Sequence, residues 1–141
     1  MTDLEALIPE LDRAFDALEQ GDLDGFARML QELVHADCEF RSGIGTVVGG
    51  SVYRGPQGVG SWFSDLVATT GERHWRNRHY EFFGDDISVF LADFSVTGAA
   101  SGVPVSAETG AVFEWNDGVC VRITSFTSHS EAREFAGARV A

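Results

Sequence analysis

A chain of 141 residues with 22 acidic and 10 basic side chains carries a formal net charge of -12, and its hydrophobic content of 44% is enough for one domain, residues 1–141, with a substantial core. Binding to polyanions rests on cationic contacts that release counterions, so this charge balance argues against nucleic acid as a partner and, for the same reason, against an anionic membrane surface. Every base is arginine, which excludes a Schiff-base lysine mechanism.

The start, MTDLEALIPELDRAF, is acidic and amphipathic and has no signal-peptide pattern. Leu4, Leu7, Ile8, Leu11, Phe15 and Leu18 recur at three- and four-residue steps and predict a helix. Thr2 and Glu5 suit a capping box, but Pro9 would then fall inside the helix and remove a hydrogen bond. The helix therefore either begins near Pro9 or is kinked there. Gly21 is placed to end it, and Asp22 to cap a second helix carrying Phe26, Met29, Leu30 and Leu33. "ADCEFR" (36–41) reads as a short strand. The Gly-rich "SGIGTVVGGSVYRG" next in the chain lacks the GKS or GKT ending of a phosphate loop and reads as a connection. Pro56 suits the first turn of a third helix, with Val59, Trp62, Phe63, Leu66 and Val67 on its apolar face.

From His74 onward the period drops to two, predicting strands over 74–83, 87–97, 103–115 and 119–128, joined by turns short enough for hairpins. A short helix, "SEAREFAG", closes the chain, with Ser130 near its start as a cap. The fold class is α+β: three N-terminal helices packed on one face of a curved, mainly antiparallel sheet. Both faces of 87–96 are largely apolar. One packs on the helices, and the simplest cover for the other is a second copy of the same sheet, so a homodimer is expected.

Four motifs in order, "ALEQGDLDGFARML", "YRGPQGVGSWFSDL", "SGVPVSAETGAVFEWNDGVCVRI" and "EAREFAG", resemble the SnoaL-like branch of the nuclear transport factor 2-like superfamily. The resemblance implies a cone-shaped α+β barrel around an apolar cavity, which in that superfamily serves isomerases, dehydratases, cyclases, epoxide hydrolases and binding modules. On the ketosteroid isomerase template, the positions of the catalytic Tyr, the donor Asp and the base fall on Ala14, Ala111 and Ser42, so that mechanism is not expected. The resemblance places Trp62 where the third helix meets the cavity. It also turns Phe94, Phe113, Trp115, Ile123, Ser125 and Thr127 inward, and turns Asp93, Glu114, Cys120 and Arg122 to the convex side. Glu114 and Arg122 are then placed to pair across strands. Trp62, Phe94, Phe113, Trp115, Ser42 and Ser125 are the candidate ligand-binding residues, and the implied partner is a compact apolar or aromatic molecule.

The stretch "RHWRNRHYEFFGDD" (73–86) carries the candidate chemistry. Strict alternation separates His74, Arg76, Arg78 and Tyr80 from Trp75, Asn77, His79 and Glu81, although a one-residue bulge would exchange the faces. His79, oriented by Glu81, is a candidate general base. His74 beside Arg76 is another, with an anion-holding arrangement. Tyr53, just before "RGPQG" at the lip of the implied cavity, is a candidate donor to a substrate oxygen. The plainer alternative is a strand with one charged, solvated face. His74 and His79 are five residues apart, which places them on opposite faces, and neither cysteine stands in a metal-like spacing, so no metal is expected. Neither "RSGIG" nor "FTSHSEA" is a nucleophile elbow. Cys38 suits a small buried hydrophobe. No cofactor is expected. With no membrane-length apolar run and no disulfide framework, the setting expected is cytoplasmic. Two functions are consistent with these features: an apolar-molecule binder with or without cofactor-free acid–base catalysis, or a non-catalytic interaction module with a closed cavity.

Overall fold

The first helix, α1 (Leu4–Gln20), is capped by Asp3, whose carboxylate accepts from the Ala6 amide at 3.3 Å. The structure is a computed structural model that describes residues 3–41, 52–98 and 104–140; Thr2 lies outside them. Pro9 is internal to α1, which does not wait for it to begin. Gly21, at φ 73°, closes α1 by donating to the Ala17 and Leu18 carbonyls, and the Asp22 carboxylate caps α2 (Leu23–Leu33) through the Gly25 amide at 3.0 Å. In α3 (Gly55–Thr69) the opening glycine is required: φ is 69°, and a Cβ there would stand 2.6 Å from the Ala36 carbonyl oxygen.

Six strands form one sheet: β1 (Val34–Arg41), β2 (Val52–Arg54), β3 (Thr70–Phe83), β4 (Ile87–Gly98), β5 (Pro104–Asn116) and β6 (Val119–Phe126), in the order β2-β1-β6-β5-β4-β3. The expected antiparallel meander is β3 to β6. Two further pairings go beyond the sequence expectation: β1 adds parallel to β6, and β2 antiparallel to β1. Asp117 and Gly118, both at positive φ, turn β5 into β6 in the manner of a primed hairpin.

The concave face packs on α1, α2 and α3 around Leu18, Phe26, Phe40, Val59 and Phe90. The convex face of β4 and β5, with Ile87, Val89, Leu91 and Val112, is covered by Ala132 and Ala136 of α4 (His129–Val140). This corrects the expected cover. The apolar outer face of β4 is buried within one chain, so it does not call for a second copy. Gly110 permits the close approach, since a Cβ there would lie 2.8 Å from the Ala132 Cβ. Ser128, not Ser130, caps α4, accepting from the Glu131 amide at 3.3 Å.

Two of the register shifts in the sheet decide where the candidate side chains face. Between β3 and β4 the register steps from Arg76 opposite Asp93 to His79 opposite Leu91, with Asn77 at φ 56°. Asparagine tolerates that left-handed conformation, and its side chain donates to Asp93 Oδ2 at 2.8 Å. Trp75 and Tyr80 consequently both point inward although five residues apart. Between β5 and β6 the register steps from Glu114 opposite Arg122 to Trp115 opposite Cys120. Cys120 is therefore buried in the concave core, 1% exposed, and not on the convex side where simple parity put it.

The arginine cluster of β3 fastens α1 to the sheet. Arg73, 6% exposed, donates Nε to the Leu18 carbonyl at 3.1 Å and Nη1 to the Gly71 carbonyl at 2.8 Å, placing its charge at the C-terminal end of the α1 dipole. Arg78 reaches Asp16 at 2.9 Å and Glu19 at 3.3 Å, and its guanidinium lies 5.8 Å from the Phe15 ring centroid. Glu19 in turn accepts from the Trp75 amide at 2.6 Å.

Candidate functional site

Between the three N-terminal helices and the concave face lies a cavity of about 110 Å³. Its walls are hydrocarbon and aromatic: Leu11, Ala14 and Phe15 from α1, Phe26 and Leu30 from α2, Trp62, Phe63 and Leu66 from α3, and Phe90, Phe94, Phe113 and Trp115 from the sheet. Phe15 and Phe90 stack at 4.1 Å between centroids, and Trp75 leans on Phe94 at 4.9 Å. An apolar cavity of roughly 150 Å³ is known to hold benzene, so this one is on the scale of a single ring.

The cavity has a closed end and an open end. Along β5 the inward residues run Thr109, Ala111, Phe113, Trp115; the first two are half-buried and the last two buried. Cys120 and Val34 lie with Trp115 at the closed end, whereas Ser125 and Phe94, both half-buried, lie with Thr109. The polar groups of the closed end are satisfied internally. Trp115 Nε1 donates to the buried Ser88 hydroxyl at 2.9 Å, and the Cys120 thiol donates to the Arg122 carbonyl at 3.4 Å. Burial pushes the Cys120 thiol well above its ordinary range, so it is not a thiolate. Among the described residues the wall contains no carboxylate and no imidazole; its hydroxyls are those of Thr109 and Ser125.

Trp62, Phe94, Phe113, Trp115 and Ser125 all line the cavity, and the four aromatics edge the space without filling it. Ser42 lies outside the described residues. Ala14 and Ala111 are both in the wall, so the template positions for the missing donors point at the cavity without any donor to offer.

The three acid–base candidates lie elsewhere. His79 is 61% exposed at its side chain and pairs with Glu81 at 3.1 Å. Glu81 is itself held by Arg133 of α4 through two contacts of 2.9 Å, which keep its carboxyl below the usual range. This places His79 on the convex side. His74, next to the inward Trp75, faces outward 3.7 Å from Glu72. The bulge at Asn77 puts the two histidines on one face, a correction to the alternation, and that face is not the cavity wall. Tyr53, on β2, is half-buried with its ring 6.1 Å from Phe40 and does not line the cavity. The other tyrosine, Tyr80, to which the sequence assigned no role, is packed against Phe90. It donates to Asp12 at 2.9 Å, and burial raises its pKa far above the ordinary value. His129 Nε2 donates to the Ala92 carbonyl at 2.9 Å, opposite the β3 bulge, and its backbone amide donates to Glu108 at 2.8 Å, a role in docking α4. Among the described residues no cluster of His, Cys, Asp or Glu is disposed to hold a metal ion. The expected Glu114–Arg122 pair is present at 3.7 Å, and Glu114 also accepts from Arg139 at 2.8 Å.

A cone of helices and curved sheet closed around an apolar cavity defines the class of protein. The family emerges from comparison: the model of the SnoaL-like domain matches residues 11–124, and the chain belongs to that family. Among solved structures it is similar to TerC co-crystallised with polyporic acid, at 18% identity over 92% of this chain and 96% of that one with a TM-score of 0.67. It is also similar to a polyketide cyclase candidate from Xanthomonas campestris pv. campestris, at 14% identity over 97% and 98% with a TM-score of 0.71. A third is a hypothetical protein with a ketosteroid isomerase-like fold from Catenulispora acidiphila in complex with trimethylamine, at 13% identity over 91% and 92% with a TM-score of 0.68. At these identities the likeness shows the fold. Among curated proteins none matches the sequence.

Proposed function

We propose that this protein binds a compact apolar or aromatic small molecule in the cavity of a single chain, without itself supplying acid–base catalysis from the described residues. The observation that carries this reading is the composition of the wall: aromatic and aliphatic throughout, with no group among the described lining residues able to move a proton near neutral pH. Apolar area removed from water contributes about 25 cal/mol per Å², so a ring fully enclosed here is held without any charged contact. The family's small-molecule binders support the reading, as does the crystal of TerC with polyporic acid. A second copy is not needed to complete the site. Free thiols at Cys38 and Cys120 fit a reducing, cytoplasmic setting. Among the described residues no helix is long and apolar enough to cross a membrane.

All three tryptophans of the chain, Trp62, Trp75 and Trp115, line the cavity, so intrinsic fluorescence reports on it directly. Titration with toluene is expected to change that emission saturably. Ala111→Phe, which projects a ring into the middle of the space, is expected to abolish the response while the protein still melts cooperatively. An unchanged response in the folded variant sinks the reading.

A further inference from the structure

The cavity is polar at one end only, and this sets the kind of molecule it takes and the way round it sits. We infer that the ligand is an uncharged single-ring compound with one hydroxyl or carbonyl, held ring-inward with that oxygen at Thr109 and Ser125. The inference rests on the cavity-binding reading above and specifies its ligand class.

Thr109 and Ser125 are on the same concave face, on adjacent strands. The register pairs Ala111 with Ser125, which makes Thr109 and Ser125 diagonal neighbours, with side chains within roughly 7–8 Å. An oxygen at that end meets one hydroxyl directly, with the other close beside it. Each hydroxyl offers one donor and two acceptor sites, so an existing contact does not exhaust either. At the closed end, Trp115 Nε1 and the Cys120 thiol already have partners within the chain, and a polar atom of the ligand carried there would be buried without one. Six residues of strand separate Thr109 from Trp115, about 20 Å of pleat, so the two ends are distinct environments for a molecule of one ring. A carboxylate has no cationic partner in the described wall and would be desolvated at a cost no nearby group offsets.

The test uses the full chain with toluene, p-cresol and 4-methylbenzoate, following tryptophan emission at pH 7.5. p-Cresol is expected to bind at least as tightly as toluene despite its stronger hydration, and 4-methylbenzoate at least tenfold more weakly than either. Thr109→Val combined with Ser125→Ala is expected to shift the ratio of p-cresol to toluene affinity about fivefold towards toluene, the size of one lost hydrogen bond. Nuclear Overhauser contacts from the p-cresol methyl to Phe113, and none to Thr109, give a readout on the wild-type chain, should the double variant fail to fold. Saturable toluene binding with an unchanged ratio in the double variant, methyl contacts to Thr109, or equal binding of the carboxylate overturns the orientation and leaves the apolar cavity standing. No binding of toluene or p-cresol to the folded protein overturns both.

Discussion

Arg73 is the arginine whose removal tests most directly how α1 is fastened. Arg73→Met keeps an apolar stem of similar length and removes three donations: to the Leu18 carbonyl, the Gly71 carbonyl and the Thr70 hydroxyl. They are not equally missed. Leu18 also accepts from the Gly21 amide at 3.2 Å, and the Thr70 hydroxyl has the Leu66 carbonyl at 2.6 Å. The loss is then mainly one charge-assisted hydrogen bond to Gly71, about 1.5–3 kcal/mol, plus the attraction of a cation for a helix C-terminus, ~0.3–2 kcal/mol. Relief of the desolvation carried by a buried guanidinium offsets part of this, leaving about 2 kcal/mol. At this chain length that corresponds to a fall in Tm of roughly 4–8 °C. Urea unfolding followed by circular dichroism measures it, with m unchanged if the native state is otherwise intact. A variant as stable as the wild type, or more so, would refute the reasoning, because the guanidinium would then be a desolvation liability and not a clasp.

Gly110→Val is expected to destabilise by about 1–3 kcal/mol in the same assay, since its Cβ meets Ala132 and α4 must move outward; a change under ~0.5 kcal/mol would mean α4 is loosely seated. The Tyr80 phenol, raised by burial and by Asp12, stays protonated in the folded protein, so absorbance at 295 nm for wild type and Tyr80→Phe should coincide up to about pH 11. The same shift contributes stability in full below the unfolded tyrosine value of about 10 and loses it as pH rises above that, so the alkaline fall in Tm should be shallower in Tyr80→Phe. Glu81, lowered mainly by its hydrogen bonds to Arg133, contributes stability above the unfolded carboxyl value and loses it as pH falls through the folded one. Glu81→Gln should therefore flatten the acid limb of the Tm–pH curve, and an identical limb would remove Glu81 from the docking of α4.

Legibility in the sequence depends on which signals are local. The stripe of α1, the Gly21–Asp22 junction, Pro56 at the head of α3 and the Asp117–Gly118 turn are each written in a few consecutive residues, and each forms as read. The parallel pairing of β1 with β6 joins residues more than eighty positions apart and leaves no local trace. The cover of the convex face was legible in part. Ala132 and Ala136 stand four apart with Phe135 beside them, a narrow stripe of small residues, and its partner Gly110 interrupts an otherwise well-patterned strand. Small residues that pack by closeness resemble ordinary helix formers until the surface they meet is known.

The side chains that matter for chemistry depend on one residue of register. Without the bulge at Asn77, alternation gives Trp75 and His79 a common face, and the cavity would gain an imidazole; with it, Tyr80 turns inward and His79 goes to the convex side with Glu81 and Arg133. Asn77 is among the few residue types that enter the left-handed region readily, so a bulge here has a sequence signal, though one visible only beside a strand otherwise rich in bulky residues. The same step at Glu114–Trp115 brings Trp115 and Cys120 to the closed end of the cavity, where strict parity had sent the cysteine outward. The two bulges together explain why an acidic chain with a basic strand has a neutral cavity. Arg73 and Arg78 are drawn to the end and acidic flank of α1, the histidines are turned to the convex side, and the space between is left to aromatic rings.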